Sequence, residues 1–269
     1  MVLSLVGALR LPRAPSAART GPGVRRGGGP DPRPGAVLGV VGTTLDRMDS
    51  RLPLLTVDTV IFPGLVLPVP VTDVQGRSVI RDLVENGGEL VCGAVAVRDG
   101  YELGDRVFRS LYGTGCAATI SEITLEAGDD GPVEVTLTGN RRFKVAELDS
   151  GGDYLIADVE WLTEEPGDDP LGTATVAVQR FRRYAAAITE ISQPGLHIGG
   201  LPDEPGTLSY LISAAMTLMT PDRQKLLEAS DTTTRLATLV GLLDSELAAI
   251  AALPSLPATD LPWSEMSPN

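Results

Sequence analysis

The chain has 269 residues, room for one large domain or two small ones. Hydrophobic residues make up 43% and aromatics only 4%, so a core has to be built from Leu, Val, Ile and Ala. A net charge of −13 argues against nucleic-acid binding through phosphate contacts, which need clustered Lys and Arg.

Other absences narrow the chemistry. Two cysteines, Cys92 and Cys116, cannot form a disulfide framework and fit a reducing compartment, so a cytoplasmic location is expected. No apolar run approaches the roughly 20 residues that span a bilayer, so no membrane partner is expected. His197 is the one histidine, which excludes His-based zinc sites, and no metal or cofactor is expected. Neither lysine, Lys144 or Lys225, follows a glycine, so there is no phosphate-binding GxxxxGK[ST] loop. A GxSxG nucleophile elbow is also missing.

Residues 1–47 differ from the rest. Seven arginines and two aspartates give them a net charge of +5, against −18 for the remainder. Gly, Pro, Ala and Arg dominate, and such a stretch cannot bury enough apolar surface to offset its ordering entropy. Its apolar opening, Met1 to Leu9, lacks a preceding charged region, which argues against a secretory signal. An Arg-rich, acid-poor transit peptide is a second reading. The expectation is a disordered tail over 1–47, or translated sequence upstream of a start at Met48.

A β unit is expected over 48–163. Strands are predicted at Leu54–Ile61 and Leu65–Val71 around a Phe62-Pro63-Gly64 turn. Pro68 and Pro70 place the second at a sheet edge or bulge. Arg77–Glu85 has helical spacing, with Val79, Ile80, Leu83 and Val84 on one side, and Asn86-Gly87-Gly88 stops it. Further strands are predicted at Leu90–Val97, Gly115–Leu125, Val133–Thr138, Arg142–Leu148 and Tyr154–Leu162. In the last, Leu155, Ala157, Val159 and Trp161 share a face. Short, regularly spaced strands with one helix suggest a small barrel or curled sheet.

A helical unit is expected over 170–252. Asp169 is a plausible N-cap with Pro170 at the first helical position. Ala174, Val178, Phe181, Ala185 and Ile188 then recur at helical spacing. Pro194–Pro205 reads as a loop. Leu208, Leu211, Ile212, Ala215, Met216 and Met219 form a second stripe, Thr220-Pro221 restarts a helix through Ala229, and Leu236 to Ile250 form the last stripe. Residues 253–269, with four prolines, read as a loose tail.

The order of these pieces resembles a known family. Leu52-Pro53-Leu54, Val60-Ile61-Phe62-Pro63-Gly64 and Leu67-Pro68 are similar to the opening of the N-terminal substrate-binding domain of Lon proteases. Gly93 to Gly100 resembles that family's central strand and turn, and Gly113 to Ile120 its next strand. Gly139-Asn140-Arg141-Arg142-Phe143-Lys144-Val145 matches its most distinctive segment, and Tyr154 to Leu162 its closing strand. The stretch from Thr220 to Glu228 resembles part of its helical region. Val71 to Arg77 departs from the family, where an aromatic and charged cluster usually precedes the first helix. The resemblance covers roughly residues 52–250. It implies an α+β fold, a PUA-like β pseudo-barrel followed by a C-terminal helical bundle. It also implies a polypeptide-binding role without the ATPase and Ser-Lys peptidase modules of Lon proteases, whose catalytic residues have no positions here.

Individual side chains are weighed against plain structural roles. A Ser-Lys dyad of Lys144 with Ser121 or Ser110 needs a desolvated lysine, whereas Lys144 sits beside Arg141 and Arg142 on what reads as a solvated strand face. His197 lies in a Gly-rich loop without a second ligand. Cys92 and Cys116 read as small buried hydrophobes. Glu126, Asp129 and Asp130 read as a solvated turn. Phe62, Leu65, Tyr101, Phe108 and Tyr112, at strand ends and turns, are the candidate peptide contacts, with ordinary core packing as the alternative.

Three functions stand at this point. The first is a non-catalytic module that binds unfolded or specific polypeptides, an adaptor or regulator in proteolysis partnered with a protease or chaperone. The second is a PUA-like RNA-binding protein, against which the −18 charge after residue 47 speaks. The third is a hydrolase with an unrecognised site, which would require a deep pocket with convergent Ser, Lys or acid groups.

Overall fold

The computed structural model describes residues 50–98, 110–125, 133–192 and 200–252. Within them lie six strands and five helices, an α+β architecture. The order is β1 (Arg51–Val57), β2 (Val66–Val71), α1 (Val74–Asn86), β3 (Val91–Ala96), β4 (Thr114–Leu125), β5 (Val133–Asp149) and β6 (Ile156–Trp161). Then come α2 (Pro170–Ser192), α3 (Pro205–Ala215), α4 (Thr220–Glu228) and α5 (Thr232–Ala252).

The mixed sheet runs β2-β5-β4-β3-β1-β6, and β6 pairs a second time with β5. Strands β5, β4, β3, β1 and β6 therefore follow one another in a ring. β1 and β3 are parallel; the other pairs are antiparallel. Side chains alternate across each strand, so a period-2 pattern loads two cores. Leu54, Val95, Ala117, Phe143, Ala157 and Val159, contributed by all five ring strands, belong to one buried cluster. Leu55, Val57, Cys92, Ala94, Cys116, Ala118, Val135 and Leu137 point the other way, into a larger cluster. That second cluster also takes Ala177, Phe181, Ile212, Leu226, Leu236, Leu239 and Leu243 from the helices. β-sheet and helices thus share one continuous hydrophobic core.

Local chemistry sets the element ends. Asp73 accepts a hydrogen bond from the Gly76 N–H at 2.7 Å and starts α1, and Gly87 at φ +64° ends it in the left-handed region. Asp169 accepts from the Gly172 N–H at 3.0 Å and Pro170 opens α2, as the sequence predicts. Pro68 and Pro70 lie on β2, the end strand of the sheet, where half of the backbone N–H groups have no partner strand to meet.

Several expectations need correction. The first strand stops at Val57, and residues 58–61 leave the sheet with buried Val60 and Ile61. The helix α1 begins at Val74, not Arg77, and Val84 faces solvent, 52% exposed. Val133–Thr138 and Arg142–Leu148 are halves of a single 17-residue strand. Gly139 does not break it, because this is where the Phe62-Pro63-Gly64 turn crosses the strand. The Gly64 N–H donates to Gly139 O, and the Gly139 N–H donates to Leu65 O, both at 2.9 Å. A Cβ on Gly139 would run into the Phe62 carbonyl. The stripe read through Met219 ends earlier: Met216 is extended at ψ 142°, and Met219 is 70% exposed just before α4.

Candidate functional site

A buried polar junction ties β5 to the helices. Arg142, on β5, is 1% exposed and its side chain makes four hydrogen bonds. Its Nε donates to Glu164 Oε1 at 2.6 Å, and its Nη1 to the carbonyls of Leu227 (2.6 Å) and Ala229 (2.7 Å). Its Nη2 reaches Thr163 O at 3.4 Å. The two helix carbonyls belong to the C-terminal end of α4, where the backbone is short of donors and favours a cation. Arg235, near the start of α5 and fully buried, donates to Leu226 O (3.0 Å), Ser209 Oγ (3.1 Å) and Glu164 Oε2 (3.2 Å). Tyr210, on α3, donates its hydroxyl to Glu164 Oε1 at 2.7 Å. Glu164 thus gathers two guanidinium groups and a phenol in a charge-assisted network, its single charge shared by two arginines whose other donors go to helix carbonyls and Ser209. Burial pushes the Tyr210 hydroxyl pKa up; the nearby Arg235 and Arg142 charges oppose this, while the hydrogen bond to Glu164 adds to it.

Aromatic rings extend the junction. The Arg235 guanidinium lies 4.0 Å from the Tyr210 ring centroid. Tyr210 meets Phe62 at 6.1 Å between centroids, and Arg223 of α4 lies 5.3 Å from the other ring. Arg223 donates from Nη2 to Val60 O at 3.3 Å, and burial lowers its pKa to about 10. Beside it, Gln224 donates to Thr114 O at 3.0 Å and to Glu228 Oε1 at 2.8 Å.

Above this junction opens a cleft of about 330 Å³, at the small end of ligand-sized cavities. It is lined by Pro63, Pro166, Pro170, Pro205 and Tyr210, with Gly64, Gly206, Thr207 and Thr232 between them and Glu164 and Glu204 as its charged groups. The first turns of α2, α3 and α5 meet there. Each carries its own cap: Asp169 on α2; Glu204, accepting from Gly206 N–H (2.8 Å) and Thr207 N–H (2.5 Å), on α3; and Asp231, accepting from Thr234 N–H (2.8 Å), on α5. Burial works against the charge of Glu204, but the Thr207 and Gly206 hydrogen bonds outweigh it and hold the carboxyl below its usual range. The Ser230 hydroxyl, followed by Thr234, brings Asp231 down to about 2.

The sequence-predicted contacts are scattered. Phe62 is fully buried between Tyr210 and Arg223, and Leu65 is buried in the main core, so both serve the interior behind the cleft. Tyr112 is half-buried, with the Arg98 guanidinium 5.2 Å from its ring centroid. Tyr101 and Phe108 lie outside the described residues, as do His197, the 126–132 turn, and the segments 1–49 and 253–269. Lys144 is exposed and pairs with Thr114, seven strand positions or about 23 Å from Ser121, so no dyad forms between those two. Cys92 and Cys116 are buried and free, and burial pushes both thiols up to about 12. Arg142, read as part of a solvated face, is instead the most connected polar residue of the junction. Glu164, Tyr210 and Arg235 carried no local signal. Among the described residues, no group of three or more His, Cys, Asp or Glu is placed to hold a metal ion, and no helix is long and apolar enough to cross a membrane.

The fold is that of a known family of substrate-binding domains. Residues 51–245 match the ATP-dependent protease La (LON) substrate-binding domain, and the chain belongs to that family. Among curated proteins, the Lon protease of Elusimicrobium minutum is 29% identical over 213 residues, 77% of this chain and 25% of that protein. The Lon protease of Escherichia coli K12 is 26% identical over 200 residues, 73% of this chain and 25% of that protein. The chain thus spans about a quarter of the length of these relatives. A solved structure, the N-terminal domain of the Mycobacterium avium complex Lon protease, shares the fold with a TM-score of 0.52 and 24% identity. That likeness covers 72% of this chain and 98% of that one.

Proposed function

We propose that this protein is a non-catalytic polypeptide-binding module that acts as an adaptor or regulator in proteolysis. Membership of the substrate-binding family over 51–245 carries the reading. The five-stranded ring supports description as a PUA-like pseudo-barrel, and the four helices after it as the bundle of the same domain. The working units are 48–163 and 170–252, and 1–47 is dispensable for them. The setting is cytoplasmic, and the partner is an unfolded or specific polypeptide delivered to a protease or chaperone. Tyr112 is a candidate apolar contact, as are Tyr101 and Phe108, which lie outside the described residues; Phe62 and Leu65 pack in the interior behind the cleft. Affinity for unfolded chains is expected to be about micromolar or weaker, because capture orders a disordered partner.

Fluorescence anisotropy with labelled unfolded polypeptide tests the binding, with ATPase and casein-degradation assays on the same sample. The expected result is saturable binding without ATP turnover or casein cleavage. Turnover that co-purifies with the chain refutes the non-catalytic part, and absence of binding to any unfolded polypeptide refutes the rest.

A further inference from the structure

The cleft has a pronounced charge asymmetry. Most of its lining comes from three short segments, 164–170, 200–207 and 230–233, and none contains a lysine or arginine. They hold seven carboxylates: Glu164, Glu165, Asp168, Asp169, Asp203, Glu204 and Asp231. Six are exposed and Asp231 is half-buried. The positive groups beneath are Arg142 and Arg235, both consumed by Glu164 and helix carbonyls, and Arg223, turned to Val60 O behind Phe62. Three helix N-termini add about half a positive charge each. A net negative charge of roughly two to three remains around the mouth.

An anionic ligand is disfavoured here although three helix N-termini converge. Asp169, Glu204 and Asp231 already accept the backbone N–H groups that an anion would need. The walls themselves are apolar, four prolines and the Tyr210 ring, with little side-chain entropy to lose on binding. Prolines and a tyrosine suit aliphatic stems, and carboxylates in the lining and on its flanking segments suit the ammonium or guanidinium heads at their ends.

We infer that this cleft takes cationic stretches of a polypeptide, a lysine or arginine flanked by apolar residues, an assignment that rests on the polypeptide-binding reading above. The apolar stem of the cationic side chain lies against Pro63, Pro166, Pro205 and Tyr210. Its head meets Glu164 and Glu204 in the cleft, and Glu165, Asp168 and Asp203, exposed on the segments beside the lining and with no helix cap or ion pair among the described residues, add unspent charge close by. Clients rich in Asp and Glu are turned away by the same field.

Two labelled peptides of identical apolar sequence test this, one with four lysines and one with four glutamates in their place, alongside a neutral unfolded polypeptide. At about 50 mM salt the lysine peptide binds at least tenfold more tightly, and most of that preference disappears at about 0.5 M. The triple variant Glu165→Lys, Asp168→Lys, Asp203→Lys weakens the lysine peptide at least tenfold and leaves the neutral polypeptide within twofold. A control, Glu122→Lys, Glu134→Lys, Glu147→Lys, reverses the same charge on exposed strand positions and costs at most twofold. Equal binding of the two peptides, or equal effects of the two triple variants, overturns the cleft assignment while polypeptide binding stands. No binding of any of the three probes overturns both.

Discussion

Arg142 shows how much one side chain can hold. It satisfies two carbonyls at the end of α4, one carbonyl before the cleft and one carboxylate, all from a position on β5. Replacing it by Ala leaves those acceptors without donors and a carboxylate without its nearest cation. The expected cost is about 3 kcal/mol, measured as a lower urea midpoint at unchanged slope. Glu164→Gln keeps an acceptor for Tyr210 but leaves the buried Arg142 and Arg235 guanidinium groups without a counter-charge, and is expected to cost about as much. Cys92 and Cys116 make a second residue-scale case. With the thiols pushed up to about 12, the thiolate forms only far above neutral pH, so at pH 8 both stay protonated and shielded. A thiol reagent should label neither in the native protein and both in denaturant; fast native labelling of either would contradict their burial. The cysteines were legible in the sequence because their neighbours on the strand are apolar. Arg142 was not, because its partners lie 21 to 87 positions away and its neighbours Arg141 and Lys144 are half-buried and exposed.

At the scale of elements, local signals worked where the cause was local. Asp169-Pro170 and Asn86-Gly87 mark helix ends through capping and a left-handed glycine, both readable from a few residues. Pro68 and Pro70 marked an edge for the same reason. The strand predicted as Val133–Thr138 and Arg142–Leu148 is continuous through Gly139, where only a residue without a side chain lets the crossing turn approach. Gly139→Val is therefore expected to destabilise by about 2–3 kcal/mol, since its side chain meets backbone at Phe62 rather than a movable side chain. Thermal unfolding would check it, with Gly113→Val, where nothing lies within 4 Å, as the tolerant comparison. The prolines of β2 carry an opposite expectation. Pro68→Val with Pro70→Val adds two N–H donors to the free edge of the sheet, which invites strand addition from another copy. Light scattering after size exclusion should show mass rising with concentration in the double variant and not in the parent. The cleft itself was hardly readable at this scale: Glu164-Glu165-Pro166, Asp203-Glu204-Pro205 and Phe62-Pro63-Gly64 look like three unrelated loops until tertiary packing brings them together.

At the scale of the molecule, the two cores decide how the protein comes apart. The ring interior, with Leu54, Val95, Ala117, Phe143, Ala157 and Val159, is complete within the strands. The outer faces of the same strands pack into the cluster that holds Ala177, Phe181, Ile212, Leu226 and Leu243. Polar bridges cross the same boundary: Arg142 to Leu227 and Ala229, Gln224 to Thr114, and Arg223 to Val60. Cutting the chain in the 164–169 segment leaves the strand half with an apolar face uncovered and Arg142 stripped of its partners. It leaves the helical half with buried stripes and no sheet to cover them. Residues 48–252 should therefore unfold in one transition with coincident near- and far-ultraviolet circular dichroism. Residues 48–163 alone should aggregate or melt without a cooperative transition, and residues 164–252 alone should keep helix but lose fixed tertiary packing. A soluble 48–163 fragment with its own sharp transition would show that the ring interior suffices, and that the shared cluster only docks a second unit onto a finished one.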